Sequence, residues 1–225
     1  MRISVIIPVL NEEQELRSRL PALQWLRARG HELIVVDGGS SDASVHVASP
    51  HVDRLVKARP GRALQMNAGA QQANGELLLF LHIDTHIGER SIQALERARR
   101  TSSGLWGRFD VRLSGSHVMF RVIAAMMNLR SRLTGIATGD QGIFVSRELF
   151  FRQGMFARIP LMEDVEFSKR LKRVARPLCL QPAITTSSRR WEANGIARTI
   201  ALMWRLRLFY WLGQSPARLA RHYRR

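Results

Sequence analysis

The sequence predicts an α/β fold: a doubly wound, mostly parallel sheet with helices on both faces. Three observations predict it. Short β-branched apolar runs alternate with helix-like segments in the order βαβαβαβ over the first 85 residues. The runs are apolar almost without interruption, as strands buried on both faces require. Three of them lead into acids, Glu12, Asp37 and Asp84, and ligands of such sheets sit beyond the carboxyl ends of the strands.

Taken in order, residues 3–10 (ISVIIPVL) predict the first strand. Asn11 follows, then Glu12, Glu13 and Glu15, then Leu16, Leu20 and Leu23. That pattern predicts a capped amphipathic helix with acids near its amino end. Residues 32–36 predict a second strand ending at Asp37-Gly38-Gly39-Ser40-Ser41-Asp42, with a short helix or turn after it. Residues 54–58 predict a third, shorter strand. Residues 61–74 (GRALQMNAGAQQAN) predict a helix with small residues on its packing face. The segment GELLLFLHIDT predicts a buried strand that stops at His82-Ile83-Asp84.

The second half is less regular. It predicts a helix over residues 91–100 and a strand over 107–113. An amphipathic helix is expected over 117–133, with His117, Arg121, Asn128 and Arg132 near one polar stripe. Residues 141–150 read as a strand entering a helix, and 162–173 as a helix with acids first and bases last, matching the helix dipole. A short strand over 176–182 and an apolar, aromatic helix over 196–212 complete the chain. No internal repeat, low-complexity tract or linker divides it, so residues 1–225 read as a single domain.

Composition narrows the function. The net charge is +17, from 35 Lys+Arg against 18 Asp+Glu, a field that attracts nucleic acid, anionic lipid or phosphorylated small molecules. Only three of the basic residues are Lys, so coding bias toward Arg is an alternative source of the charge. From Ala193 onward there are seven Arg and no carboxylate. The single Cys179 excludes an internal disulfide and fits a reducing compartment. The amino-terminal apolar run has no small-residue cleavage site and reads as a strand, not a signal peptide. No stretch reaches the length of a membrane span, so the expected location is cytoplasmic, or peripheral on the inner face of the membrane.

Three acidic strand ends around one crevice repel each other unless a divalent cation and a polar ligand lie among them. Carboxylate oxygens suit Mn2+ or Mg2+, and the cation can hold a diphosphate as charge develops on it. The segments ISVIIPVLNEE, IVVDGGSSDAS, GRALQMNAGAQQANGELLLFLHIDT and MEDVEFSKRL together resemble the inverting glycosyltransferases of family 2, in order from residue 3 to about residue 173. GRALQMNAGA and RRWE are similar to a compact bacterial single-domain subgroup. Each motif alone is weak; their order and spacing carry the resemblance.

The resemblance implies a GT-A fold with a Rossmann-like sheet. Residues 1–100 would be the nucleotide-sugar-binding half, 101–192 the acceptor-binding half, and 193–225 a basic helical tail. Pro8, Asn11 and Glu12 would form the first nucleotide-contacting loop, with Glu12 near the ribose or base. Asp37 would accept hydrogen bonds from the base, taken as uracil. Arg62 and Asn67 would approach the nucleotide-sugar. His82-Ile83-Asp84 stands in the D-x-D position, with Asp84 as metal ligand. His82 replaces the first Asp, and keeps either a ligand role or a contact with sugar or phosphate. Glu163-Asp164 matches the E-D pair whose Asp is the general base. Arg190 would hold the diphosphate and Trp191 part of the acceptor wall. Gly139, Asp140 and Gln141 lie in the acceptor-side loop.

Plainer readings stand beside these. Asn11 and Glu12 also fit a helix cap and its acidic first turn, Asp37-Gly38-Gly39 a tight turn, and Gly139 to Gln141 a simple turn. His82 also fits a hydrogen-bonded histidine behind the site. Glu163-Asp164 also complements a helix dipole, and Arg189 and Arg190 fit surface charge. The tail packs on the core or lies at a membrane interface, where a lipid-linked acceptor would meet it. Two other classes fit less well. A nucleotidyltransferase calls for a Gly-rich, Lys-containing loop after the first strand, and PVLNEEQE has neither residue. A nucleic-acid-binding protein fits the charge, but acids line the crevice and no recognition motif is present, so nucleic acid is not the expected partner.

Overall fold

The computed structural model of the chain describes residues 1–101 and 105–223. Seven strands, β1 (Ile3–Val9), β2 (Glu32–Asp37), β3 (Arg54–Lys57), β4 (Leu77–Phe80), β5 (Trp106–Leu113), β6 (Ile143–Ser146) and β7 (Leu178–Thr186), form one sheet in the order β3-β2-β1-β4-β6-β5-β7. Among the strands of the described residues, β6 alone is antiparallel to its neighbours, β4 and β5; the other strand pairings are parallel. The expected mostly parallel sheet is present, with helices on both faces.

Alternation along each strand divides the core into two layers. Ile3, Val5, Ile7 and Val9 of β1, with Leu77 and Leu79 of β4, face one way. They pack against α1 (Glu13–Arg19), α2 (Gln24–Ala28), α3 (Ser44–Ala48) and α5 (Glu89–Thr101) through residues such as Leu16, Leu26, Val47 and Ile92. Ile6, Leu78 and Phe80 face the other way. They meet α4 (Arg62–Gln72), α7 (Arg147–Arg152) and α8 (Glu163–Leu171) through Met66, Ala70, Phe150 and Phe167. Gly69 lets α4 sit close on the sheet, since a Cβ there would lie 2.6 Å from a methyl of Ile6.

Several elements differ from expectation for local reasons. The helix after β1 is broken: Pro21 opens a 3-10 turn, Pro21–Leu23, between α1 and α2. β4 ends at Phe80, and His82 to Thr85 form a turn closed by Thr85 N–H donating to the His82 carbonyl at 3.0 Å. β7 runs on through Pro182 to Thr186, which is tolerated because β7 is an edge strand. Two helices were not anticipated, α9 (Arg189–Asn194) and α11 (Pro216–Tyr223).

The helix α6 (Val118–Thr134) is amphipathic, but its polar stripe does not face solvent alone. Asn128 is bonded in both directions to the backbone of Val111 on β5, at 2.9 and 3.1 Å, and Arg132 pairs with Asp110 at 2.7 Å. The tail helix α10 (Ile196–Trp211) packs by one side only. Its Leu206, with Leu219 of α11, sits against Met162 just before α8. Among the described residues no helix is long and apolar enough to cross a membrane.

Candidate active site

Two cavities open beyond the carboxyl ends of β1 and β4. The first, about 170 Å³, is lined by Pro8, Leu10, Glu12, Gln65, Ile83 and the trio Arg62, His82 and Asp84. The second, about 210 Å³, shares that trio and adds Gly139, Asp140, Glu163, Asp164, Arg190 and Trp191. Asp84 therefore sits at the junction of the two spaces.

Local bonding explains the first cavity. Gln65 on α4 donates its amide to the carbonyls of Val9 (2.7 Å) and Val36 (3.0 Å), fixing α4 against the ends of β1 and β2. Asn11 adopts the left-handed conformation at φ 54°, which Asn tolerates better than most residues. Its Oδ1 accepts from the Ser41 amide at 2.8 Å, and Ser44 Oγ accepts from the Glu12 amide at 2.8 Å. These bonds tie the loop after β1 to the loop after β2.

The same bonding removes some expected residues from the cavities. Asn11 is exposed, and its side-chain oxygen is engaged by Ser41. Asp37 is buried, and its carboxylate accepts from the amides of Gly39 (3.0 Å) and Ser40 (3.1 Å), so it braces its own turn. Asn67 is buried and exchanges both hydrogen bonds with the backbone of Phe156, at 2.8 and 3.0 Å. Gln141 is buried and caps the 3-10 turn Gly139–Gln141 from inside, accepting from Thr138. These four line neither cavity. The other expected residues, Pro8, Glu12, Arg62, His82, Ile83, Asp84, Gly139, Asp140, Glu163, Asp164, Arg190 and Trp191, line one or both.

In the second cavity, Asp164 Oδ2 accepts from the Gly139 amide at 2.9 Å, while Oδ1 accepts from the Val165 amide at 2.7 Å. His82 Nδ1 lies 3.5 Å from Asp140 Oδ1. His82 Nε2 is buried without a partner and packs on Gly139, where a Cβ would come within 2.7 Å of it. Arg190 stacks on the Tyr223 ring, 3.8 Å from its centroid, and donates to the Tyr223 hydroxyl. Arg189 instead bridges to Glu15 at 2.6 Å, on the first helix.

The charges are arranged in opposition. Burial, reinforced by Asp164, pushes the Glu163 carboxyl up to about 7, against the pull of Arg62. Burial also raises Glu12, helped by Asp84 and opposed by Arg189. For Asp140, burial is outweighed by His82, Arg62 and Arg207, which bring it down to about 2. Asp140 is crowded and yet half-open, with 52% side-chain exposure, as a group on a cavity wall is; the exposure governs what a ligand reaches. For Arg62, burial is outweighed by Glu163, Tyr223, Asp140 and Asp164, which raise it. Burial lowers Arg207, and burial beside Arg207 takes Arg130 to about 10.

Arg207, Tyr223 and Met203 of the tail line the larger cavity and were not among the expected residues. Arg207 alone carried a signal, as a charge inside an apolar helix. Tyr223 carried none, because it reaches the site only through the fold-back of α11.

Asp84 is the carboxylate that lines both cavities. Among the described residues no group of three or more His, Cys, Asp or Glu is set to hold a metal ion. Asp84 with the oxygens of a diphosphate remains a fitting set, since Mg2+ is commonly bound by one or two carboxylates plus substrate phosphates. The His82 imidazole lies between Asp140 and Gly139 and, like Asp84, lines both cavities.

The sequence profile described as Glycosyl transferase family 2 matches residues 4–158. The undecaprenyl-phosphate 4-deoxy-4-formamido-L-arabinose transferase of Yersinia pestis (strain Pestoides F) is 29% identical over 154 residues, covering 63% of this chain and 46% of that protein. The chain thus spans about half the length of the curated relatives it matches. Staphylococcus aureus TarS 1-349 in complex with UDP-GlcNAc superposes with a TM-score of 0.69 at 18% identity, over 83% of this chain and 58% of that one. Mycobacterium tuberculosis glucosyl-3-phosphoglycerate synthase, in complex with Mn2+, UDP and phosphoglyceric acid, gives 0.59 at 20% identity, over 83% and 69%. With the matched profile covering more than half of its length and a GT-A sheet beneath the site, the chain belongs to glycosyl transferase family 2.

Proposed function

We propose that the chain is an inverting glycosyltransferase that moves a sugar from a UDP-linked donor to an acceptor hydroxyl, with Asp164 as general base. One observation carries the reading: Asp84 and Arg62 lie where a cavity at the strand ends meets a cavity that holds Asp164. The donor lies in the first space and the acceptor enters the second. Pro8 and Glu12 lie against the nucleoside, and Arg62 and Arg190 against the diphosphate. Asp84 holds Mn2+ or Mg2+, which supplies positive charge to the leaving diphosphate. Asp164, fixed by the Gly139 amide, takes the acceptor proton as the new glycosidic bond forms. Glu163 stays partly protonated near neutrality and so limits the negative charge beside that base.

The acceptor is lipid-linked in this reading. Relatives of the chain carry undecaprenyl phosphate in their names, which supports the lipid part of an acceptor whose reacting group in this reading is a hydroxyl, and the tail helices form part of the cavity wall on that side through Met203, Arg207 and Tyr223. The tail, acid-free and aromatic, makes the peripheral membrane contact. A thermal-shift panel of nucleoside diphosphates and their sugars with Mn2+ tests the donor class. Uridine compounds are expected to raise Tm, and the absence of any shift across the panel would refute the reading.

A further inference from the structure

The longest helix of the second half exposes the wrong side for a protein that meets only water. Val118, Val122, Met126, Leu129 and Leu133 recur every three or four residues along α6, so they share one stripe. All five are exposed, Val118 at 71% and Leu133 at 77%. The opposite side, with Phe120, Ile123 and Ala124, is buried. A second exposed stripe runs along α10, where Trp204 is 69% and Trp211 76% exposed, with Leu208 between them. Of fourteen large hydrophobics exposed among the described residues, nine lie on these two helices. Such a concentration marks an interaction surface.

Charge says what meets it. The two longest acid-free stretches of the sequence are residues 111–139 and 193–225, and they contain these same helices. On the surface the first carries Arg112 and Arg121, and the second Arg198, Arg205, Arg218 and Arg221. A second copy of the chain would bring like charges together across a shared apolar face. Anionic headgroups neutralise them instead. Both helices also border the larger cavity, through Met127 on α6 and Met203 and Arg207 on α10. We propose that α6 is a second membrane-seating element, which with α10 sets the protein on an anionic bilayer so that the acceptor cavity opens between them. The inference rests on the lipid-linked acceptor reading. It assigns α6 a role that the tail alone does not fill, as an interfacial helix lying in the headgroup plane.

The test is flotation of the full chain with vesicles of phosphatidylcholine alone and of phosphatidylcholine mixed with phosphatidylglycerol. Wild type is expected to float with the mixed vesicles and to be released by salt. The exposed double substitution Val122→Glu, Leu129→Glu is expected to lower the bound fraction at least about tenfold. The α10 pair Trp204→Ser, Trp211→Ser serves as the comparison and should weaken binding by a similar factor. Circular dichroism and the Tm shift with UDP and Mn2+ are read on every variant. Lost flotation with an intact UDP shift supports the proposal. An α6 variant that floats like wild type overturns it, as does a wild type that stays behind with both vesicles. So does a wild-type dimer, seen by light scattering, that the α6 substitutions split while vesicles bind neither form. A wild type that floats but shows no UDP shift sinks the UDP-donor reading and leaves the docking result standing.

Discussion

Glu163 is buried beside Asp164, and this sets a sign and a size for one substitution. Its carboxyl rises from 4.5 to about 7 in the folded chain, first through burial and then through Asp164. A raised acid stabilises the fold below its unfolded value, and that contribution is lost as pH rises through the folded value. The window here is pH 4.5 to about 7. At 1.36 kcal/mol per tenfold change in proton affinity, ionising Glu163 in the folded chain costs about 3 kcal/mol. Glu163→Gln keeps the shape and removes the charge, and Arg62 retains Asp140 and Asp164 as opposing carboxylates. Urea unfolding should find the variant less than about 1 kcal/mol more stable than wild type at pH 5, and about 3 kcal/mol more stable at pH 9. For a chain of this size the pH 9 gap is a Tm rise of about 6–12 °C. A gap that does not grow with pH, or a variant less stable at pH 9, would refute the reasoning.

Other outcomes follow from the same geometry. Asp164→Asn should leave UDP affinity within about twofold and lower the transfer rate by about 100- to 10,000-fold, read by UDP release with acceptor present. Gly139→Ala drives a methyl into His82, so Tm should fall, with a loss of about 1–3 kcal/mol in urea unfolding. Adding His82→Ala should recover much of that loss, as a double-mutant cycle will show. Asp140, held near 2, contributes stability above its ordinary 3.8 that disappears as pH falls through about 2. Asp140→Asn should therefore flatten the acid limb of a circular-dichroism titration, and an unchanged limb would count against the His82 and arginine contacts as its cause.

The parallel half of the sheet was legible because burial on both faces leaves an almost pure apolar run, as in β1, β2 and β4. The position of Asp84 at the junction of the two cavities was legible for the same reason: it follows such a run at the end where ligands gather. The local bonding of Asp37 was not legible in detail, since a carboxylate that also braces its own Gly-Gly turn and one that only waits for a base look alike in sequence. Asn67 sits in a motif-like helix but spends its amide on Phe156, 89 residues away, a partner that only the tertiary fold supplies. The polar stripe of α6 was found and its neighbours were not. Asn128 and Arg132 pair with β5, leaving the apolar stripe outward, and nothing in helical periodicity says which side faces the sheet. Arg207 and Tyr223 reach the site because α10 and α11 fold back over Met162, a long-range contact that local pattern does not encode.

The central claim is that Asp84 joins a nucleoside diphosphate to this crevice through a divalent cation. Calorimetric titration of UDP into the full chain, with and without Mn2+, for wild type and Asp84→Ala, measures it directly. Wild type should bind UDP at least about tenfold more tightly with Mn2+, a gain of about 1.4 kcal/mol, and Asp84→Ala should show no such gain. Equal Mn2+ dependence in the two proteins, or no UDP binding by wild type with the metal present, would contradict the account.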